Sequence, residues 1–140
     1  MHAVAKGLDW LDLKLDTIVT SPLVRAQETA DIVRQALHPS RYDMSQLLAP
    51  GCDLSALARL LALYPQFREL MIVGHEPDLG EIIAGLIGAG LPGKIQLKKA
   101  ACCCIKLDIG AGSLTASAGE LGGKGVLVWH IPPRVLARLG

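Results

Sequence analysis

Two stretches of this sequence each run a short apolar segment straight into a proline-marked helix start, and together they restrict the chain to an α/β architecture. The first is Asp16 to Val33, DTIVTSPLVRAQETADIV. Ile18 and Val19 are β-branched and read as a buried strand. Ser21 has the chemistry of an N-cap, and Pro22 suits the first helical position, where a missing N–H costs nothing. Ala26, Ala30, Val33 and Leu37 then recur at helical spacing, with Arg25 in the first turn. The second stretch begins with Leu70 to Val73, a continuous apolar run of the kind buried on both faces of a sheet. Gly74, His75, Glu76 and Pro77 follow, and Leu79, Ile82, Ile83 and Leu86 continue as a helix. If the two strands are parallel neighbours, both helix N-termini point at one sheet edge, where the ligands of open α/β sheets sit. Helix N-termini offer unpaired N–H groups to anions, and an arginine adds a bidentate fork for phosphate or carboxylate.

Composition narrows the function classes. The 140 residues are 51% apolar and 19% charged, which fits one globular domain, residues 1–140, with a large interior. A net charge of +1 and only five aromatic residues give no basic stripe with interleaved rings, so no nucleic-acid partner is expected. Lys94, Lys98 and Lys99 form the one basic cluster and read as a solvated loop. No signal peptide and no apolar run of bilayer length is present, so a cytoplasmic protein without membrane contact is expected. Cys102, Cys103 and Cys104 are consecutive in an apparent strand, where neighbours point to opposite faces and cannot converge on a metal. They and the isolated Cys52 read as small buried apolar residues.

Elsewhere, residues 2 to 13 read as a helix through Val4, Leu8 and Leu11. No capping residue precedes it, as though the chain joined an element already under way. His38 to Tyr42 reads as a loop and Met44 to Leu48 as a short edge strand. Asp53 caps a helix carrying Leu54, Leu57, Leu61 and Tyr64, which Pro65 stops. Ile87 to Gly93 reads as a loop. Ala100 to Asp108, Ser113 to Ala118 and Gly125 to Ile131 read as antiparallel strands, and Pro132 and Pro133 lead into a terminal helix, Arg134 to Leu139. Among the histidines, His2 falls on a helix, His38 in a loop and His130 at a strand end. His75, at a strand-to-helix junction shared with Arg25, is the candidate for chemistry: the two would hold a phosphoryl group between cationic donors.

SPLVRAQETADIV closely resembles the Ser-Pro-x-x-Arg-Ala-x-x-Thr-Ala segment of the histidine phosphatase superfamily, and LMIVGHEPDL resembles that family's second-histidine motif. GHEPDL, the segment Ile95 to Lys99 and the ending VLVWHIPPRVLARL look most like the small SixA-type phosphohistidine phosphatases. The resemblance implies a three-layer α/β sandwich of phosphoglycerate mutase-like type: a mixed, mostly parallel sheet with helices on both faces. It implies transfer of a phosphoryl group from a phosphohistidine to an enzyme histidine and then to water, with no metal or cofactor. Arg25 matches the arginine that grips the phosphoryl oxygens and His75 the second pocket histidine, and Ser21 joins them as a phosphate-binding candidate. Glu28 and Glu76 lie in the two motifs, and neither is assignable as a proton donor.

The family's nucleophile belongs to an Arg-His-Gly or Arg-His-Ala motif on a first strand, and nothing in this chain matches it. An N-terminally truncated fold is therefore expected, with stripped ladder hydrogen bonds and exposed apolar edges beside the missing strand, and a start codon lying upstream. The partner expected from the resemblance is a phosphorylated histidine-containing phosphotransfer domain or a small phosphomonoester, acted on by a monomer. A non-catalytic module that binds a phosphorylated protein and an inactive fragment are the competing expectations.

Overall fold

The computed structural model describes residues 2–88, 95, 97–108 and 118–139. The elements run α1 (His2–Trp10), β1 (Thr17–Thr20), α2 (Val24–Leu37), β2 (Arg41–Met44), a 3-10 turn (Gln46–Leu48), α3 (Leu54–Ala62), β3 (Leu70–Val73), α4 (Asp78–Ile87), β4 (Cys102–Leu107), α5 (Ala118–Leu121), β5 (Gly125–Ile131) and α6 (Pro133–Leu139). β1 pairs in parallel with β2 on one side and with β3 on the other, giving the order β2-β1-β3. β4 and β5 form an antiparallel pair, as the sequence suggests for the last third.

Helices cover both faces, because each strand alternates its apolar side chains between two cores. One core gathers Val19, Leu48, Leu57, Leu60, Leu61, Ile82 and Leu86 from β1, the 3-10 turn, α3 and α4. The other joins Ile18 to Val4, Leu8, Ala30, Val33 and Leu136 from α1, α2 and α6. Ile18 and Val19 are both fully buried, so β1 is the centre of the parallel sheet. α1 packs along α6 so closely that an ideal Cβ on Gly7 would lie 1.9 Å from the Leu136 carbonyl oxygen. Asp53 caps α3 as expected, its Oδ1 accepting the Ala56 N–H at 2.9 Å. No helix among the described residues is long and apolar enough to cross a membrane.

Several local expectations change. Ser21 is not the cap of α2, and Pro22 is not its first residue. The helix opens at Val24 behind Leu23, and the Ser21 hydroxyl accepts the Leu23 N–H at 3.3 Å within the preceding turn. Pro77 likewise stands one position ahead of α4, after a cis Glu76–Pro77 peptide. The edge strand lies at Arg41–Met44 and not at Met44 to Leu48. Ser45 turns the chain into the 3-10 segment by accepting the Leu47 N–H, which ends the strand. α1 stops at Trp10, short of residue 13. The strand expected over Ser113 to Ala118 lies outside the described residues up to position 117, and Ala118 opens α5. Of the loop expected over Ile87 to Gly93, Ile87 ends α4, Gly88 closes it with a left-handed φ of 77°, and the remainder lies outside the described residues.

β3 departs from the sequence reading in a more consequential way. A strand buried on both faces was the expectation, yet all four of its residues are only partly buried. Among the described residues β3 pairs with β1 alone and β4 with β5 alone, and one cavity of about 1030 Å³ is lined by both of these unpaired edges. Cys102, Cys103 and Cys104 line it and are partly, not fully, buried.

Candidate active site

The parallel pairing of β1 with β3 sets Thr20 opposite Val73, so the residues that leave both strands emerge side by side. The Ser21 N–H donates to the Val73 carbonyl at 2.9 Å, which extends the ladder one step beyond the strands. Ser21 is fully buried, and its Oγ lies 2.7 Å from His75 Nε2. The hydroxyl has already accepted the Leu23 N–H. Its proton remains to be donated to a neutral imidazole, and its second lone pair can accept from an imidazolium. Either way the bond fixes the ring at the carboxyl edge of the sheet. The His75 carbonyl in turn accepts the Leu79 N–H at 2.9 Å and ties the residue to the start of α4.

Arg25 is exposed in the first turn of α2 and lines the same cavity as His75. It has no hydrogen bond or ion pair with the described residues, so its guanidinium is available to a ligand. Leu23 provides no side-chain cap to α2, and the first main-chain bond of the helix is the Gln27 N–H to the Leu23 carbonyl at 3.0 Å. The N–H groups of Val24, Arg25 and Ala26 therefore have no acceptors among the described residues, and the positive end of the helix dipole adds to them.

α4 is arranged differently. Glu76 Oε1 accepts the Gly80 N–H at 2.8 Å and Oε2 the Leu97 N–H at 3.3 Å, so this carboxylate caps α4 and latches the segment leading to β4. The closeness is enforced at Gly80, where an ideal Cβ would lie 2.4 Å from the Ile95 carbonyl oxygen. Held in this way, Glu76 is a structural carboxylate, which the motif alone does not reveal. Lys98 and Lys99 follow the latched segment, are exposed, and border the same cavity as Arg25 and His75. The sequence reading of a solvated loop is correct about their exposure and misses that neighbourhood, because the link runs through a main-chain N–H that no residue pattern marks. Glu28 is exposed on α2.

The other three histidines sit elsewhere. His2 borders a separate shallow cleft with Lys6 and Asp9, His38 closes the far end of α2 in a left-handed conformation, and His130 is exposed in β5 opposite Cys103. The cysteines are poor nucleophiles here. Burial pushes the Cys102 thiol up to about 12 and the Cys103 thiol to about 11, with neighbouring thiols adding to both shifts. No group of three or more His, Cys, Asp or Glu among the described residues is placed to hold a metal ion.

No protein-family model matches the chain. An uncharacterized protein of Picosynechococcus sp. (strain PCC 7002) is 36% identical over 99 residues, which cover 69% of this chain and 60% of the relative. The match thus spans less than two thirds of that curated relative. Among solved structures, the protein histidine phosphatase SixA complexed with tungstate superposes with a TM-score of 0.73 at 20% identity, covering 96% of this chain and 80% of SixA. A protein assigned as SixA from Agrobacterium tumefaciens gives a TM-score of 0.71 at 15% identity over 94% and 77% of the two chains. Another from Nakamurella multipartitia gives 0.64 at 15% identity over 92% and 78%. At these identities the likeness is one of architecture, and the chain has the fold of the SixA phosphohistidine phosphatases.

Proposed function

We propose that this chain is the phosphoryl-binding body of a SixA-type phosphohistidine phosphatase. Arg25 grips the phosphoryl oxygens, His75 donates to the charge that develops on them, and Ser21 holds the His75 ring and borders the phosphate site. The uncapped N–H groups of α2 add fixed positive potential that costs no reorganisation during transfer. The substrate is a phosphohistidine on a phosphorelay protein domain. Its phosphoryl group passes to an enzyme histidine and then to water, the substrate imidazole leaving as the nucleophile's N–P bond forms. By the family resemblance that histidine stands on a strand outside the 140 residues. The observation that carries this reading is the bond between Ser21 and His75 at the shared edge of two paired parallel strands, with Arg25, which has no partner among the described residues, on the same cavity.

For these residues by themselves, phosphate binding without turnover is the expected behaviour, because none of the other three histidines borders the cavity that holds His75. Calorimetry with tungstate as the phosphate analogue tests it. One site is expected, weakened about 10- to 100-fold by Arg25→Ala, the loss of a charged hydrogen-bond donor worth roughly 1.5–3 kcal/mol. Hydrolysis of a phosphohistidine protein by the 140-residue chain would contradict the placement of the nucleophile elsewhere. Failure of the unmodified chain to bind tungstate would end the phosphate-site reading.

A further inference from the structure

Beside the phosphate site the molecule leaves apolar side chains bare. Val24 is 68% exposed and Met44 58%, and Leu23 next to them is exposed as well. These side chains are contiguous and held in place. Gln27 stands one turn after Val24 on α2, the spacing at which helical side chains are neighbours. Its Nε2 donates to the Pro22 carbonyl at 2.6 Å and lies 3.2 Å from Met44 Sδ, which fixes the methionine against the helix. Leu23 is tied to the histidine through Ser21, whose hydroxyl accepts the Leu23 N–H and bonds the His75 ring. The inner end of the site lies below this lip, since Ser21 is fully buried and His75 partly so. A phosphoryl group that reaches His75 past Arg25 therefore comes on an arm such as a side chain, and the body that bears the arm covers Val24.

The register of the sheet sets how far that body extends. Thr20 of β1 faces Met44 on one side and Val73 on the other, so the ends of β2 and β3 are level. Strands stand about 4.8 Å apart, which puts Met44 roughly 10 Å across β1 from the segment that carries His75. An extended polypeptide covers that distance in about three residues, whereas a small phosphomonoester seated between Arg25 and His75 leaves Met44 bare. We infer that Leu23, Val24 and Met44 are the docking lip for the protein that carries the phosphohistidine, and that this partner presents apolar side chains within about three residues of the phosphorylated one. The inference rests on the phosphate-site reading above and adds to it the surface by which the partner is chosen. Because Gln27 holds Met44 in advance, docking costs little further ordering of the lip.

The test is calorimetry on the 140-residue chain and on the double variant Val24→Ser/Met44→Ser, whose two side chains are exposed and lie outside the phosphate contacts. The probes are tungstate and two soluble peptides centred on a non-hydrolysable phosphohistidine analogue, one flanked on both sides by leucine and methionine and the other by serine. The unmodified chain is expected to bind the apolar-flanked peptide about tenfold more tightly than the serine-flanked one. In the double variant the two peptides bind alike, and tungstate binds as it does to the unmodified chain. Tungstate binding without discrimination between the peptides overturns this inference alone, and so does a preference that survives in the double variant. Loss of tungstate binding in the double variant also overturns it, by assigning the lip to the integrity of the site. Capture of the unmodified chain, and not of the variant, by phosphatidic acid vesicles overturns it in favour of a lipid surface. An unmodified chain that binds no tungstate ends the phosphate-site reading and this inference with it.

Discussion

At Ser21 one hydroxyl serves two neighbours, and that explains why the residue is fully buried while the turn around it is not. It accepts the Leu23 N–H and bonds His75 Nε2, so a change there should be felt at both stability and binding. Ser21→Ala is expected to lower stability by about 1 kcal/mol and to weaken tungstate binding about tenfold, because the imidazole loses the contact that orients it. Urea unfolding and calorimetry read the two effects separately. A variant that loses stability and keeps full tungstate affinity would show that the serine positions the backbone alone. Placement near the site was legible from sequence where it depends on a strand end or a helix start, as for His75 and Arg25, which line one cavity. It was not legible for Ser21 and Glu76. A serine before a proline has the chemistry of a cap, and only the tertiary pairing of β1 with β3 assigns its hydroxyl to His75. Glu76 is not assignable from its motif, and its part is clear only when the main-chain N–H groups of Gly80 and Leu97 are seen to bond its two oxygens.

Among the elements, β3 is held most firmly at its entrance. Asp16, just ahead of β1, accepts the N–H groups of Arg68 and Glu69 at 2.7 and 2.9 Å and the Thr17 hydroxyl at 2.7 Å. Partial burial alone would raise its pKa, and the hydrogen bonds outweigh that, so the folded carboxyl titrates below its ordinary value of 3.8. The sign follows from linkage: a carboxylate favoured in the folded state stabilises above the unfolded pKa, and the benefit disappears as pH falls through the folded one. Asp16→Asn should therefore be less stable than the unmodified chain at neutral pH. The gap should close below about pH 4, as measured by urea midpoints across a pH series. A gap that stays constant with pH would assign the effect to geometry and not to charge. Element identity was readable where periodicity was clear, as in α2, and its start was readable where a cap agreed with it, as in α3 with Asp53. It failed at β2, where RYDM has no apolar alternation and the strand exists because β1 offers it a parallel ladder.

Across the whole molecule, the first and last elements close the layer beneath β1. Leu136 of α6 is fully buried against Val4 and Leu8 of α1, and Gly7 lets the two helices meet main chain to main chain. Gly7→Ala is expected to force them apart and to cost about 1–3 kcal/mol, the usual penalty of overpacking. A thermal melt of the variant should show it, and an unchanged melting temperature would mean that the helix pair is looser than the structure shows. The architecture was foreseeable from two strand-to-helix junctions, which, once β1 and β3 pair in parallel, leave both helix starts at one sheet edge. The separation of the sheet into two pieces was foreseeable only through the family resemblance. Nothing in Leu70 to Val73 itself says that its second side has no partner among the described residues, since an apolar run reads the same on an edge as in the middle of a sheet.

The outer strand of the parallel sheet carries its own protection. Arg41 Nε lies 2.7 Å from Asp43 Oδ2, and the Arg41 guanidinium lies 4.7 Å from the centre of the Tyr64 ring. Burial and a 2.7 Å hydrogen bond to Asp43 push the Tyr64 phenol up to about 12, so it stays a donor over the whole physiological range. Charges in register along an edge strand discourage another chain from pairing with it. The solvent-facing margin of the parallel sheet is therefore a closed border, turning further strands away and keeping the molecule to itself.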